Sequence, residues 1–144
     1  MILPDLNLLL YAYNRQAPQH SLASTWWESA LNGRELIGLP HEVMLGFVRI
    51  ATNSRLGVAS VSVSTARSTV EQWHDSGNVR VLLPQEDHSI KVIDLLGHSN
   101  ASGVLTTDAS LAVYAIEARA TLYSNDGDFA RFPGLIWKNP LISA

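Results

Sequence analysis

Residues 103–128 read GVLTTDASLAVYAIEARATLYSNDGD, and the changes of pattern inside them decide the fold. From near Asp108 to the ARA at 118–120 the run is that of a long helix. TLYS at 121–124 then reads as a short apolar strand, and SNDGD closes it with a turn sequence carrying two acids. A helix feeding a strand that ends in carboxylates is one unit of a repeating arrangement. The same alternation continues in both directions along the chain.

Toward the N-terminus, QEDHSIKVIDLLGHSN (85–100) is helical and VRVLLP (79–84) is a strand. VSVSTARSTVEQWHDSG (61–77) is a helix stopped by Gly77, and HEVMLGFVRIATN (41–53) is one whose apolar positions recur every three to four residues. ELIGLP (35–40) is a strand; APQHSLASTWWESALNG (17–33) is a helix expected to be capped by Ser21 or His20 and ended by Gly33. Met1–Pro4 is the first strand and Leu6–Asn14 the first helix, while GLIWKNP (134–140) supplies a final short strand. Strands alternating with helices predict βαβ units and a parallel sheet with helices on both faces. In such sheets ligands bind beyond the carboxyl ends of the strands, which locates the chemistry.

A chain of 144 residues has room for one core, so a single domain over 1–144 is expected. With 47% hydrophobic and 16% charged residues it is globular rather than disordered. The absence of cysteine excludes a disulfide framework, thiolate zinc sites and cysteine nucleophiles, and fits a reducing cytoplasm. No apolar run approaches the ~18 residues of a membrane span, and no basic region precedes the N-terminal apolar stretch as in a secretory signal. A net charge of −3 argues against attachment to nucleic acid by bulk charge alone, although ten basic residues can still cluster on one face.

Five of the thirteen acids occupy one kind of place, a strand end or a helix start: Asp5, Glu42, Asp108, Asp126 and Asp128. Each has a structural reading. Asp108 as an N-cap is worth ~1 kcal/mol, Glu42 against a helix dipole ~0.3–1 kcal/mol, and NDGD is a good turn. Four separate segments placing acids on one rim is harder to ascribe to capping. Asp5, the lone acid in MILPDLNLLLYAYN, is costly there without a compensating group. Convergent carboxylates raise one another's pKa unless a cation neutralises them. An all-oxygen donor set without cysteine or histidine suits Mg²⁺ or Mn²⁺ far better than zinc.

Arg49 lies seven residues beyond Glu42 on the same predicted helix, two turns away and on the same face. It is placed either to meet a substrate phosphate or to pair with an acid. The five histidines, His20, His41, His74, His88 and His98, lack ligand spacing and read as surface or helix-end residues. Trp26 and Trp27 read as core or interface and Trp137 as core.

The stretches PDLNLLLYAYN, LPHEVMLGFVRIATNSRL and GVLTTDASLAVYAIEARATLYSNDGDFARFPGLIWKNPL resemble the PIN-domain ribonucleases, and more narrowly the VapC toxins of bacterial toxin–antitoxin pairs. The resemblance runs from Ile2 to Leu141, with FVRIATN and DGDFARFPGL its most specific parts. It implies a three-layer α/β/α fold with a mostly parallel sheet of about five strands. It implies a metal-dependent endoribonuclease with Asp5, Glu42, Asp108 and Asp126 as catalytic acids, Ser124 in the family's hydroxyl position and Asp128 as a second acid beside Asp126. Metal binding falls to Asp5, Asp108 and Asp126, with Asp5 the expected bridge and Asp128 a ligand or an outer contact. Glu42 either holds a second ion or orients the attacking water, and one or two ions of Mg²⁺ or Mn²⁺ are expected. The partners implied are an RNA substrate, a VapB-type antitoxin and a second copy of the chain, with the first two helices offering an apolar surface.

Two other functions use the same residues. A non-catalytic binding module of this fold would act through antitoxin or RNA contacts, against which the complete acid set counts. An aspartyl-phosphate phosphotransferase or phosphatase would use Asp5 as nucleophile. That chemistry favours a second acid two residues on, where this chain has Asn7.

Overall fold

The first strand, β1 (Ile2–Pro4), is only three residues long and wholly buried, which is why an acid directly after it is conspicuous. The computed structural model describes residues 1–142; the last two residues of the expected 1–144 domain lie outside the described residues. β1 sits at the middle of a five-stranded sheet with β2 (Ile37–Pro40), β3 (Val79–Leu82), β4 (Thr121–Tyr123) and β5 (Ile136–Lys138). The order is β3-β2-β1-β4-β5, and every pairing is parallel. The expected strands are all present.

Six α-helices connect and cover the strands among the described residues: α1 (Leu6–Tyr13), α2 (His20–Leu31), α3 (His41–Ala51), α4 (Val63–Asp75), α5 (His88–His98) and α6 (Thr106–Ala118). α1 packs on α2 and α3, and α3 on α4, while α5 pairs with α6, so two helical layers enclose the sheet. Their apolar sides meet a continuous core in which Leu3, Ile37, Leu39 and Leu122 of the strands are fully buried. An aromatic cluster joins four helices: Tyr13 of α1, Trp27 of α2, Phe47 of α3 and Trp73 of α4. Two indole N–H groups converge on the Tyr13 hydroxyl, from Trp27 at 3.2 Å and Trp73 at 2.9 Å. Gly46 admits α1 closely against α3, since a Cβ there would meet Leu6 Cδ2 at 2.8 Å.

Three local expectations are corrected. α2 begins at His20 with Gln19 as N-cap, and no side chain caps it, so neither Ser21 nor His20 does so; its other end is as expected, with Asn32 the C-cap and Gly33 directly after it. α6 starts two residues before Asp108, which therefore lies inside the first turn rather than at the cap. The turn after β4 is a short 3-10 helix, Gly127–Arg131, capped by the Asp126 carboxylate accepting from Asp128 N–H at 2.9 Å.

The connections matter for function. The chain moves from β1 outward through β2 to β3, then returns across the sheet to lay β4 on the opposite side of β1. The loops leaving β1 and β4 therefore diverge, and the crevice between them is the switch point where open α/β sheets bind ligands. Pro4 pairs with Tyr123, so the next residues, Asp5 and Ser124, stand side by side there.

Candidate active site

Asp5 leaves β1 and caps α1, its Oδ1 accepting from Leu6 N–H at 2.7 Å. Its other oxygen accepts from the Ser124 hydroxyl at 2.7 Å, across the switch point. Ser124 is fully buried and saturated: it donates to Asp5 and accepts from Asp126 N–H at 2.9 Å and from Asn7 Nδ2 at 3.4 Å. One hydroxyl thus ties the first strand, the first helix and the β4 turn together. Burial holds the Asp5 carboxyl above the usual carboxylate range; the two hydrogen bonds oppose that shift, and the Asp126 charge adds to it.

Asp108, Asp126 and Asp128 form the tight group. One carboxylate oxygen from each lies within 4.8 Å of the others. Burial, then the charges of Asp5, Asp126 and Asp128, push the Asp108 carboxyl up to about 6. Asp128 is bridged by Arg131 at 3.3 Å, an exposed contact that leaves the inner acids without a cation. Asp5 stands beside this trio rather than inside it. Two donors meet the Asp5 carboxylate, one each meets Asp126 and Asp128, and none meets Asp108 among the described residues.

A cavity of about 680 Å³ opens between α1, α3 and α6 and is lined by Asp5, Glu42, Arg49, Asp108 and Asp126. Glu42 enters it from the first turn of α3, exposed, its Oε1 accepting from the Ser110 hydroxyl of α6 at 3.0 Å. Tyr114 lies one turn further along α6; burial first, and then the charge of nearby Glu42, push its phenol up to about 12. Arg49 reaches the same cavity two turns from Glu42 and makes no ion pair among the described residues. Of its two sequence readings, pairing with an acid therefore lacks a partner. Trp137 is half-buried and donates to the Ser124 carbonyl at 3.1 Å, supporting the site from β5.

The donor set fits a hard divalent cation. All donors are oxygens, three carboxylates converge with only Asp128, at their outer edge, paired to a cation among the described residues, and the buried Asn7 Oδ1 at the cavity wall has no hydrogen-bond partner. Ser110, Tyr114 and His88, whose Nε2 lies 2.8 Å from Ser110 Oγ, were not among the expected site residues. Ser110 follows Asp108 by two positions, the one signal in the sequence that could have drawn attention to it.

Known proteins share both sequence and fold with this chain. The PIN domain family model matches residues 2–135. Ribonuclease VapC33 of Mycobacterium tuberculosis is 42% identical over 141 residues, covering 98% of this chain and 99% of that protein. The crystal structure of the M. tuberculosis toxin VapC20, described as cleaving the sarcin–ricin loop, superposes with a TM-score of 0.70 at 16% identity, over 94% of this chain and 99% of that one. The VapBC2 complex of Rickettsia felis, bound to a promoter DNA fragment, gives 0.66 at 20% identity, over 96% of this chain and 98% of the matched one. A match across nearly the whole length, at this identity, makes the chain a member of the PIN-domain family, in its VapC branch.

Proposed function

We propose that this protein is a metal-dependent endoribonuclease, the toxin of a toxin–antitoxin pair, and that residues 1–144 form its single nuclease domain. The observation that carries the reading is the convergence of acids from four segments at the switch point of the sheet, with Asp108, Asp126 and Asp128 within 4.8 Å. The VapC33 relative, a ribonuclease by name, supports RNA as the substrate. The VapBC2 neighbour supports a VapB-type antitoxin as the partner. A homodimer, and action in the cytoplasm where RNA is found, complete the proposal; no helix among the described residues is long and apolar enough to cross a membrane.

Asp5, Asp108, Asp126 and Asp128 are the residues to hold one or two ions of Mg²⁺ or Mn²⁺. The chemistry such an ion supplies is a water of lowered pKa and an offset to the charge growing on phosphate. Ser124 fixes the Asp5 carboxylate and keeps the β4 turn in register with it. Glu42 orients the attacking water and accepts its proton, its own rotamer set by Ser110. Arg49, exposed at the cavity and free of ion pairs among the described residues, binds the substrate phosphate that the acids would otherwise repel.

The test is cleavage of end-labelled cellular RNA by purified protein, with Mg²⁺ or Mn²⁺ and with EDTA, alongside growth of host cells expressing wild type, Asp5→Asn and Asp108→Asn. Cleavage that EDTA abolishes and growth arrest that both variants relieve are expected. Growth arrest persisting in the variants, without cleavage, would mark a binding module instead.

A further inference from the structure

The histidine that the sequence leaves as a helix-end residue reaches the site through one hydroxyl. We infer that His88 is a positioning residue for Glu42, holding the catalytic carboxylate in place through Ser110; this rests on the nuclease reading of the site.

The directions of the hydrogen bonds follow from proton counts. A serine hydroxyl carries one proton, and an ionised carboxylate only accepts. Ser110 Oγ lies 3.0 Å from Glu42 Oε1, so its proton faces the carboxylate. Its remaining contact, His88 Nε2 at 2.8 Å, must then be a donor, which specifies the Nε2–H form of the imidazole. The same ring lies on Tyr114, centroid to centroid 4.5 Å at 40°. One side chain from α5 therefore braces the hydroxyl that grips Glu42 and packs on the Tyr114 ring, four residues further along the same face of α6. Glu42 is exposed at the first turn of its helix. Without the Ser110 bond its carboxylate has no other side-chain hydrogen-bond partner among the described residues and would sample several rotamers, which is costly for a group that must present one geometry to a water.

His88→Phe keeps a ring against Tyr114 but removes the donor; His88→Gln restores an N–H at nearly the same reach. With RNA cleavage measured in Mn²⁺, the account expects kcat to fall about 10-fold or more in His88→Phe with KM little changed, as for other outer contacts to site groups. It expects His88→Gln to recover most of that loss, and His88→Phe to cost nothing further in a Ser110→Ala background. Wild-type kcat in His88→Phe, no recovery in His88→Gln, or an undiminished additional loss beside Ser110→Ala would each overturn it. Imidazole ¹⁵N NMR of the metal-free protein gives a readout apart from catalysis. The Nε2–H tautomer of His88 is expected, with its proton exchanging faster in Ser110→Ala. A protein that shows this tautomer but does not cleave RNA removes the nuclease reading and keeps the brace. One that cleaves RNA with His88 in the Nδ1–H form keeps the nuclease and removes the brace.

Discussion

The two ends of α1 are built on opposite rules. At its C-terminal end Tyr13 meets Phe47, Trp27 and Trp73, and two indole N–H groups converge on the tyrosine oxygen. At its N-terminal end Asp5 joins Asp108 and Asp126 around one cavity, where burial first, and then like charges, hold the carboxyls of Asp5 and Asp108 above the usual carboxylate range. Eight residues of helix separate a region organised for burial from one organised around unrelieved charge. The difference teaches where stability and function reside. The aromatic end stabilises the fold through dense packing, and the acidic end can store repulsion because the rest of the fold overdetermines its geometry.

The largest expected effect falls on the aromatic end. Trp73 is fully buried among three other rings, so Trp73→Ala should cost about 3–5 kcal/mol of stability, seen in urea unfolding. Cleavage per folded molecule below the transition should change little. A large catalytic loss in molecules that remain folded would erase the division between the two ends.

Close behind comes the acidic end. Asp108→Asn should lower RNA cleavage at least ~10²-fold, the scale of several kcal/mol of lost charge stabilisation, measured as kcat/KM in Mn²⁺. Its metal-free form should be more stable than wild type near neutral pH, and the sign follows from the shift. Asp108 has a folded-state value of about 6 against 3.8 when unperturbed. Its cost to folding is absent below about pH 4, grows as pH rises from there to about 6, and is fully present above that. Melting temperatures in EDTA should therefore diverge between wild type and Asp108→Asn as pH rises through that range, and Mn²⁺ should raise the wild type alone. Parallel melting curves at every pH would contradict this.

Ser124→Ala sharpens the boundary. It removes the 2.7 Å hydrogen bond to buried Asp5, so the Asp5 carboxyl should rise further above its ordinary range. Cleavage should fall ~10–100-fold, and the acid limb of the pH–rate profile should move to higher pH. An unmoved limb would mean that the hydroxyl does not hold Asp5. The smallest effect concerns neither end. Arg119 terminates α6 in the left-handed region at φ +53°, exposed, where glycine is preferred. Arg119→Gly should stabilise the fold by less than about 1 kcal/mol, read as a small rise in Tm, with cleavage untouched.

The strands and the acids that follow them were legible because their signals are local. Pro4 then Asp5, Pro40 then His41-Glu42, and Tyr123 then Ser124 through Asp128 each mark a strand end within a few residues. The crevice rule for parallel sheets turned those ends into one site. The tertiary partners were not legible. His88 lies 22 residues from Ser110 in sequence, and no spacing rule joins them. Tyr114 sits in the apolar run LAVYAIEA and reads as core, as its burial also has it; its hydroxyl gains meaning only because α3 brings Glu42 alongside. The start of α2 was misplaced because Ser21 and His20 look like caps, whereas the preceding turn leads into the helix from Gln19 without one.

The central claim is that Asp108, Asp126 and Asp128 form a carboxylate group that a hard divalent cation neutralises. Calorimetric titration of Mn²⁺ into metal-free protein at pH 6 tests it most directly, with buffers of different ionisation enthalpy to count protons. Saturable binding is expected, with release of about half a proton from Asp108, and with both the binding and the release lost or greatly weakened in Asp108→Asn and Asp126→Asn. No saturable binding, or equal affinity in wild type and both variants, would contradict it.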